Sequence, residues 1–266
     1  MPASPGHTVA APAAGDDTIL KELVERAEAR DMAWPQFRSL AGARQYRHLY
    51  RMTRRHVPRG AEMLDWGSGN GHFAYFLTRA GYRPIGFTIE GVSHAGWLDE
   101  PYVRFVGGSA SEPVRLPFPD ATFDAVSSVG VLEHVRETGG DEAASLAEIV
   151  RVLKPGGTFL CYHFPNRTSL IDRLARGVPG KHFHEFRYTR GDIEHLARGA
   201  GLELLEVARY GALPRNGLSR LPDSLRTSRW TADAWDALDD ALGVVFGRWC
   251  QNWRFAARRP GVPPTG

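Results

Sequence analysis

The stretch AEMLDWGSGNGH, residues 61–72, decides how the rest of the chain is read. Met63 and Leu64 close an apolar run that ends in Asp65, and glycines then alternate at Gly67, Gly69 and Gly71. Directly behind them, Phe73, Phe76, Leu77 and Ala80 recur at helical spacing. The pattern predicts a buried strand, a tight glycine turn and the start of a helix. Glycine suits such a turn because it accepts positive φ and lets the backbone come close to a ligand. The helix start offers N–H groups to an anionic or strongly polar ligand. Asp65, just ahead of the turn, can accept hydrogen bonds from the loop or from that ligand. A glycine triplet alone is a weak signal, with the dinucleotide fingerprint as its rival. Here the spacing is G-x-G-x-G behind an acid, not G-x-G-x-x-G, which points away from a nicotinamide cofactor.

At 266 residues the chain is one domain with appendages, or at most two. With 42% hydrophobic residues it can bury a large core. It holds no apolar run of about 18 residues, so no membrane-spanning helix is expected. The Ala-, Pro- and Gly-rich opening, residues 1–17, lacks the basic start and apolar centre of a secretory signal and reads as a disordered tail. Cys161 and Cys250 give neither a disulfide framework nor a zinc site. These features describe a soluble, cytoplasmic protein. The net charge is +3, and the positive residues are nearly all arginine, scattered among Asp and Glu without a long basic tract. A solvated surface explains most of them; the sharper reading is an anionic acceptor, since arginine suits phosphate and carboxylate.

Working outward from the turn, the apolar face of residues 18–33 predicts a helix, ended by Trp34-Pro35, and a basic, aromatic helix follows at residues 45–56. From residue 58 strands and helices alternate, which predicts a mostly parallel sheet covered on both faces. Strands are expected at residues 62–66, 83–88, 103–106, 123–129, 158–164, 202–210 and 252–258. Helices are expected at residues 72–80, 91–98, 141–153, 189–201 and 230–246. Pro155-Gly156-Gly157 stops one helix and opens the next strand, and Thr189 with Asp192 reads as a capping pair.

LDWGSGNG at residues 64–71, LPFPDATFDAV at 116–126, VLEHV at 131–135 and EIVRVLKPGGTF at 148–159 together resemble the class I S-adenosylmethionine-dependent methyltransferases, most closely the type 11 group. The resemblance covers roughly residues 59–164. It implies a Rossmann-like, doubly wound α/β fold with a seven-stranded sheet, mostly parallel and closed by an antiparallel last strand. It also implies S-adenosylmethionine as cofactor, held at Asp65, Gly67, Ser68, Gly69, Asn70 and Gly71, with Val129 near the methyl-bearing sulfur. The position that aligns with the family's ribose-binding carboxylate is Thr88; Glu90, 19 residues past Gly71, is within reach of the hydroxyls. Where Gly-Asp-Ala is common after the third strand, this chain has Gly108, Ser109 and Ala110, so Ser109 and Ala110 stand beside the adenine. The cofactor core spans residues 58–164, residues 18–57 cover the cleft, and residues 165–266 supply the substrate pocket and the last strands of the same sheet.

Methyl transfer needs alignment of two reactants and exclusion of water, and an alcohol or phenol acceptor also gains from a positioned base. His134, after the fourth strand, and His163, ending the fifth, are the catalytic candidates, each with a plain packing alternative. KHFHEFRYTR, residues 181–190, together with Arg215, provides acceptor candidates in His184, Arg187, Tyr188 and Arg215. His182 and His184 form a pair without an accompanying carboxylate or cysteine cluster, so no metal is expected. No basic stripe with interleaved aromatics points to nucleic acid. The expected reaction is O-methylation of a small metabolite or a glycan or lipid-linked intermediate. An RNA methyltransferase and a non-catalytic cofactor-binding protein are the alternatives.

Overall fold

The computed structural model describes residues 14–30, 32, 34–89, 103–176 and 184–261, without the side chain of residue 216. Glu90 and the helix expected at residues 91–98 lie outside the described residues. Three helices come first: α1 (Asp16–Ala29), the single turn α2 (Leu40–Ala43) and α3 (Arg47–His56). The core runs β1 (Glu62–Trp66), α4 (His72–Arg79), β2 (Arg83–Thr88), β3 (Arg104–Gly107), β4 (Phe123–Val129), α5 (Glu142–Val152) and β5 (Leu153–Pro165). The remainder is α6 (Leu170–Ala175), α7 (Arg190–Gly199), β6 (Glu203–Tyr210), α8 (Asp223–Arg226), α9 (Arg229–Phe246) and β7 (Asn252–Arg258).

The strands form one seven-stranded sheet in the order β3-β2-β1-β4-β5-β7-β6. Pairs from β3 to β5 are parallel, and β7 runs antiparallel to both β5 and β6. The chain winds outward from β1 to β3 and returns to β4 on the other side of β1, so the direction of winding reverses between β1 and β4. A crevice opens at such a switch point, beyond the carboxyl ends of the strands.

Successive residues of β1 show why the sheet is buried on both faces. Met63 belongs to the core layer that contains Leu23 of α1, Tyr50 of α3 and Phe76 of α4. Leu64 packs on the opposite layer with Ile149 of α5 and Ile193 of α7. A strand covered on both faces buries consecutive residues, as β1 does from Met63 to Trp66.

Several boundaries shift for local reasons. The basic helix begins at Arg47, because Arg44–Tyr46 is a tighter 3-10 turn. β5 begins at Leu153: that residue pairs with Phe123 before a register shift, and pairing resumes at Thr158 with Ala125. Gly156, at φ 81°, takes up the irregularity. Thr189 and Asp192 do form the capping box that opens α7.

Candidate functional site

β1 stops at Trp66, and the chain reverses through Gly67, Gly69 and Gly71 with φ of 72°, 49° and 76°. These angles are left-handed, where a side chain costs about 1–2 kcal/mol per residue. Gly67 carries a second constraint: a Cβ there would stand 2.3 Å from Val131 Cγ2 in the loop after β4. Gly69 differs, being exposed with nothing nearer to its missing Cβ than the Gly67 carbonyl oxygen at 3.8 Å. The turn therefore offers open backbone at Gly69. The amides of Gly67 and Ser68 donate to the Phe87 carbonyl at 2.8 and 2.9 Å, tying the turn to β2. The Ser68 hydroxyl also donates to that carbonyl at 3.3 Å.

Asp65 lies beneath the turn and is 1% exposed. Oδ1 accepts a hydrogen bond from Ser127 Oγ at 3.2 Å, while Oδ2 accepts none among the described residues. Burial pushes the Asp65 pKa up to about 7, with the Ser127 hydroxyl and the Ala74 amide pulling the other way. A buried carboxylate oxygen without a donor costs free energy until a cation or an N–H reaches it.

His72, which the sequence pattern did not single out, holds Asn70 in place. Its ring packs 4.6 Å from Tyr46 and 5.3 Å from Phe37 between centroids. Desolvation lowers its pKa to about 3, so it is neutral, and Nδ1–H donates to Asn70 Oδ1 at 2.7 Å.

The remaining cofactor candidates share the carboxyl edge of the sheet. Thr88 ends β2, and its carbonyl accepts from the Gly108 amide at 2.9 Å. Ser109 and Ala110 are exposed just past β3, with Ser109 Oγ 2.7 Å from Ser111 Oγ. Val129 ends β4 beside Tyr162 of β5.

Past Val129 a cavity of about 920 Å³ opens, lined by Gly130, Glu133, His134, His163, Ile171, Leu174, His184 and Arg215 among others. Gly130 turns the chain into the cavity wall at φ 72°, a left-handed angle that favours glycine, and a Cβ there would only touch His163 Cβ at 3.9 Å and Glu133 Oε1 at 3.8 Å. His163 occupies a bulge between β5 and β7 at φ 65°, a left-handed angle rare outside glycine. Strain of about 1–3 kcal/mol at such a residue persists only when neighbours impose it. Tyr210 imposes it here, its Oη accepting from the His163 amide at 2.9 Å and lying 2.8 Å from Nδ1. Burial first, then His72 and His184, lower the His163 pKa to about 3. A neutral imidazole that weak orients a hydroxyl better than it removes its proton.

His134 Nδ1 lies 2.9 Å from Glu137 Oε1, and Nε2 lies 3.9 Å from Glu133 Oε1. The His134 and His184 rings are 5.5 Å apart. Glu133, 3% exposed, completes a cluster whose ligand atoms all fall within 4.8 Å of one another. The carboxylate that accompanies His184 thus comes from the loop after β4. Burial pushes the Glu133 pKa up to about 8.

Two acceptor candidates are engaged by other parts of the fold. Tyr188 is buried against Phe164, with centroids 3.9 Å apart, and its hydroxyl donates to Glu142, so it holds α5 rather than the cavity wall. Arg215 borders the cavity, but its guanidinium donates to Asp236 Oδ1 at 2.6 Å, Asp239 Oδ2 at 2.7 Å and the Ala41 carbonyl at 3.0 Å. It fastens α9 to α2. Arg44 and Arg47 pair with the same acidic face of α9. Arg187 is half-buried on the segment that carries His184, outside the residues lining the cavity.

Residues 64–161 match the family described as "Methyltransferase domain". A probable S-adenosylmethionine-dependent methyltransferase of Mycolicibacterium smegmatis is 31% identical over 163 residues, covering 61% of this chain and 59% of that protein. A demethylmenaquinone methyltransferase of Streptomyces avermitilis is 31% identical over 143 residues, covering 48% and 58%. The chain thus spans less than two thirds of the length of these relatives. Among solved structures, Burkholderia thailandensis 1,6-didemethyltoxoflavin-N1-methyltransferase superposes with a TM-score of 0.53 at 21% identity, covering 95% of this chain and 93% of that one.

Proposed function

Because residues 64–161 are a class I methyltransferase domain of the type 11 group, we propose that the chain uses S-adenosylmethionine to methylate an oxygen of a small-molecule acceptor. The observation that carries this reading is the open glycine turn over Asp65, with its unmet Oδ2, at the switch point beside the cavity. Those groups fit an amino-acid moiety: the Asp65 carboxylate suits an ammonium group, and the turn at the head of α4 suits a carboxylate. Asp65, Gly67, Gly69, Asn70 and Gly71 would hold that end; Thr88, Ser109 and Ala110 flank the adenosine side, and Val129 borders the methyl.

The cofactor supplies a methyl on a positively charged sulfur, which leaves as a neutral thioether. The chain's own residues then have to orient the acceptor, exclude water and give its proton a way out. Gly130 borders the acceptor space, His163 orients the hydroxyl, and the proton leaves to solvent past Glu133, His134 and His184 on the cavity wall. Residues 18–57 roof the cleft and residues 165–266 complete the acceptor side, a division supported by Gln45, Arg47, Leu213 and Arg215 lining one cavity. No helix among the described residues is long and apolar enough to cross a membrane.

A carbon acceptor is the second reading, favoured by a ubiquinone/menaquinone biosynthesis C-methyltransferase of Bartonella bacilliformis, 32% identical over 43% of this chain and 46% of that protein, and by Ile171, Leu174 and Ala175 on the cavity wall. Incubation with methyl-labelled S-adenosylmethionine and a metabolite extract separates the readings. Label in a small product whose NMR shift is that of a methoxy group supports the proposal, and a methyl bonded to carbon supports the second reading. Label abolished by nuclease treatment, or cofactor binding without transfer to any extract, would overturn both.

A further inference from the structure

We propose that Glu133, His134 and His184 form a divalent transition-metal site on the wall of the acceptor cavity. Each contributes one ligand atom, and the three atoms lie within 4.8 Å of one another. Nitrogen and oxygen ligands about 2.0–2.2 Å from a metal sit roughly 3–4 Å apart, so closing the set needs rotamer adjustments of about 1 Å.

Two features beyond proximity point to a cation. Glu133 is 3% exposed, lines the cavity and has an oxygen, Oε2, that accepts no hydrogen bond among the described residues. No arginine or lysine forms an ion pair with it among those residues; its only ion-pair neighbour there is His134. A buried carboxylate in that position is normally paired or bound to a metal. The second feature is the arrangement around His134: Nδ1 lies 2.9 Å from Glu137 Oε1, so that Nε2 is the ring nitrogen turned toward Glu133, 3.9 Å from its Oε1. A carboxylate behind one ring nitrogen and a metal before the other is the usual second layer of a histidine ligand.

Two imidazoles and one carboxylate suit zinc, cobalt, manganese, nickel or iron in the divalent state, with remaining positions open to the cavity. The class of ligand for those positions is the acceptor's own hydroxyl oxygen, and this part rests on the proposed methyl transfer. There the metal makes the hydroxyl more acidic: its proton leaves to solvent, the oxygen lone pair forms the new bond to the methyl carbon, and the carbon–sulfur bond breaks with its electrons on sulfur.

The test uses full-length protein stripped with chelator and titrated with Co²⁺, followed by visible absorption and calorimetry. The expected result is roughly one equivalent bound, with Glu133→Gln and His184→Asn each weakening binding by at least about 10-fold and Glu137→Gln by about 10–100-fold. Glu133→Gln keeps the shape of the side chain, and matching circular dichroism and thermal midpoints confirm that the variants fold. Absence of cobalt absorption in the wild type, or equal affinity in all three variants, overturns the site. S-adenosylhomocysteine binding is measured on the same chelator-treated protein: its persistence without cobalt binding rejects the metal alone, and its loss rejects the methyltransferase reading instead.

Discussion

The glycine turn and the acceptor cavity lie at neighbouring strand ends, since β1 pairs with β4, yet they are built by opposite routes. The turn is contiguous chain: strand end, acid, alternating glycines and helix start all fall within residues 61–72. The cavity draws on the loop after β4, the end of β5, α6, the segment before α7 and the segment after β6. At the turn, residue type and spacing state the local backbone requirement. At the cavity, a side chain's role depends on partners far away in sequence, so charge and type alone mislead. Arg215 is the clearest instance, with the chemistry of an anion ligand and the position of a structural cross-link.

Arg215→Ala sharpens that contrast most. It leaves Asp239, 3% exposed, without its closest cation, and breaking a buried pair of this kind costs about 3–5 kcal/mol. Urea unfolding should show that loss; unchanged stability with a raised acceptor KM would return Arg215 to the substrate-binding set. Gly67→Ala is next. It combines left-handed φ with a Cβ driven into Val131, and should lower stability by about 2–4 kcal/mol. A double-mutant cycle with Val131→Ala should recover part of that loss, and strict additivity would show that Val131 is not the obstacle.

Asp65→Asn probes the turn through pH. The folded pKa near 7 lies above the ordinary 3.8, so between those values the native state binds more protons than the unfolded chain. Stability of the wild type should therefore fall as pH rises from about 4 to 7 and level off above that. The asparagine variant should lack this component, gaining on the order of 1–3 kcal/mol relative to wild type at pH 8. Saturating S-adenosylhomocysteine should shrink the difference by meeting Oδ2, whereas parallel pH–stability curves would show that Asp65 is already satisfied. Tyr210→Phe, the smallest effect on stability at about 1 kcal/mol, removes the acceptor of the His163 amide. It should lower turnover while leaving S-adenosylhomocysteine affinity unchanged; a fall in affinity alone would move His163 to the cofactor side.

The same contrast governs how much could be read in advance. β1, β2, β4 and β7 fall on the expected residues because each joins several apolar or aromatic residues into a short stretch bounded by turn or polar residues. α6 and the 3-10 segment Leu132–Thr138 are too short to show a period, yet both shape the cavity wall. Glu133 sits in plain view in VLEHV, but an acid next to a histidine reads as solvent-facing until Leu132, Val135 and the sheet enclose it. His184 carries no sign that it will meet His134, because that contact exists only after α7 docks on α5. The strained φ of His163 is equally silent, since Tyr210, 47 residues away in sequence, holds it at the register shift against β7.

The central claim is that backbone at the Gly69 position holds the cofactor's amino-acid end. Calorimetry of S-adenosylmethionine binding to wild type and Gly69→Arg tests it most directly, because Gly69 is exposed and the substitution meets only the left-handed φ penalty of about 1–2 kcal/mol. A folded Gly69→Arg protein should lose at least about 100-fold in affinity, equivalent to about 2.7 kcal/mol. A folded variant that binds S-adenosylmethionine as tightly as the wild type would contradict the account.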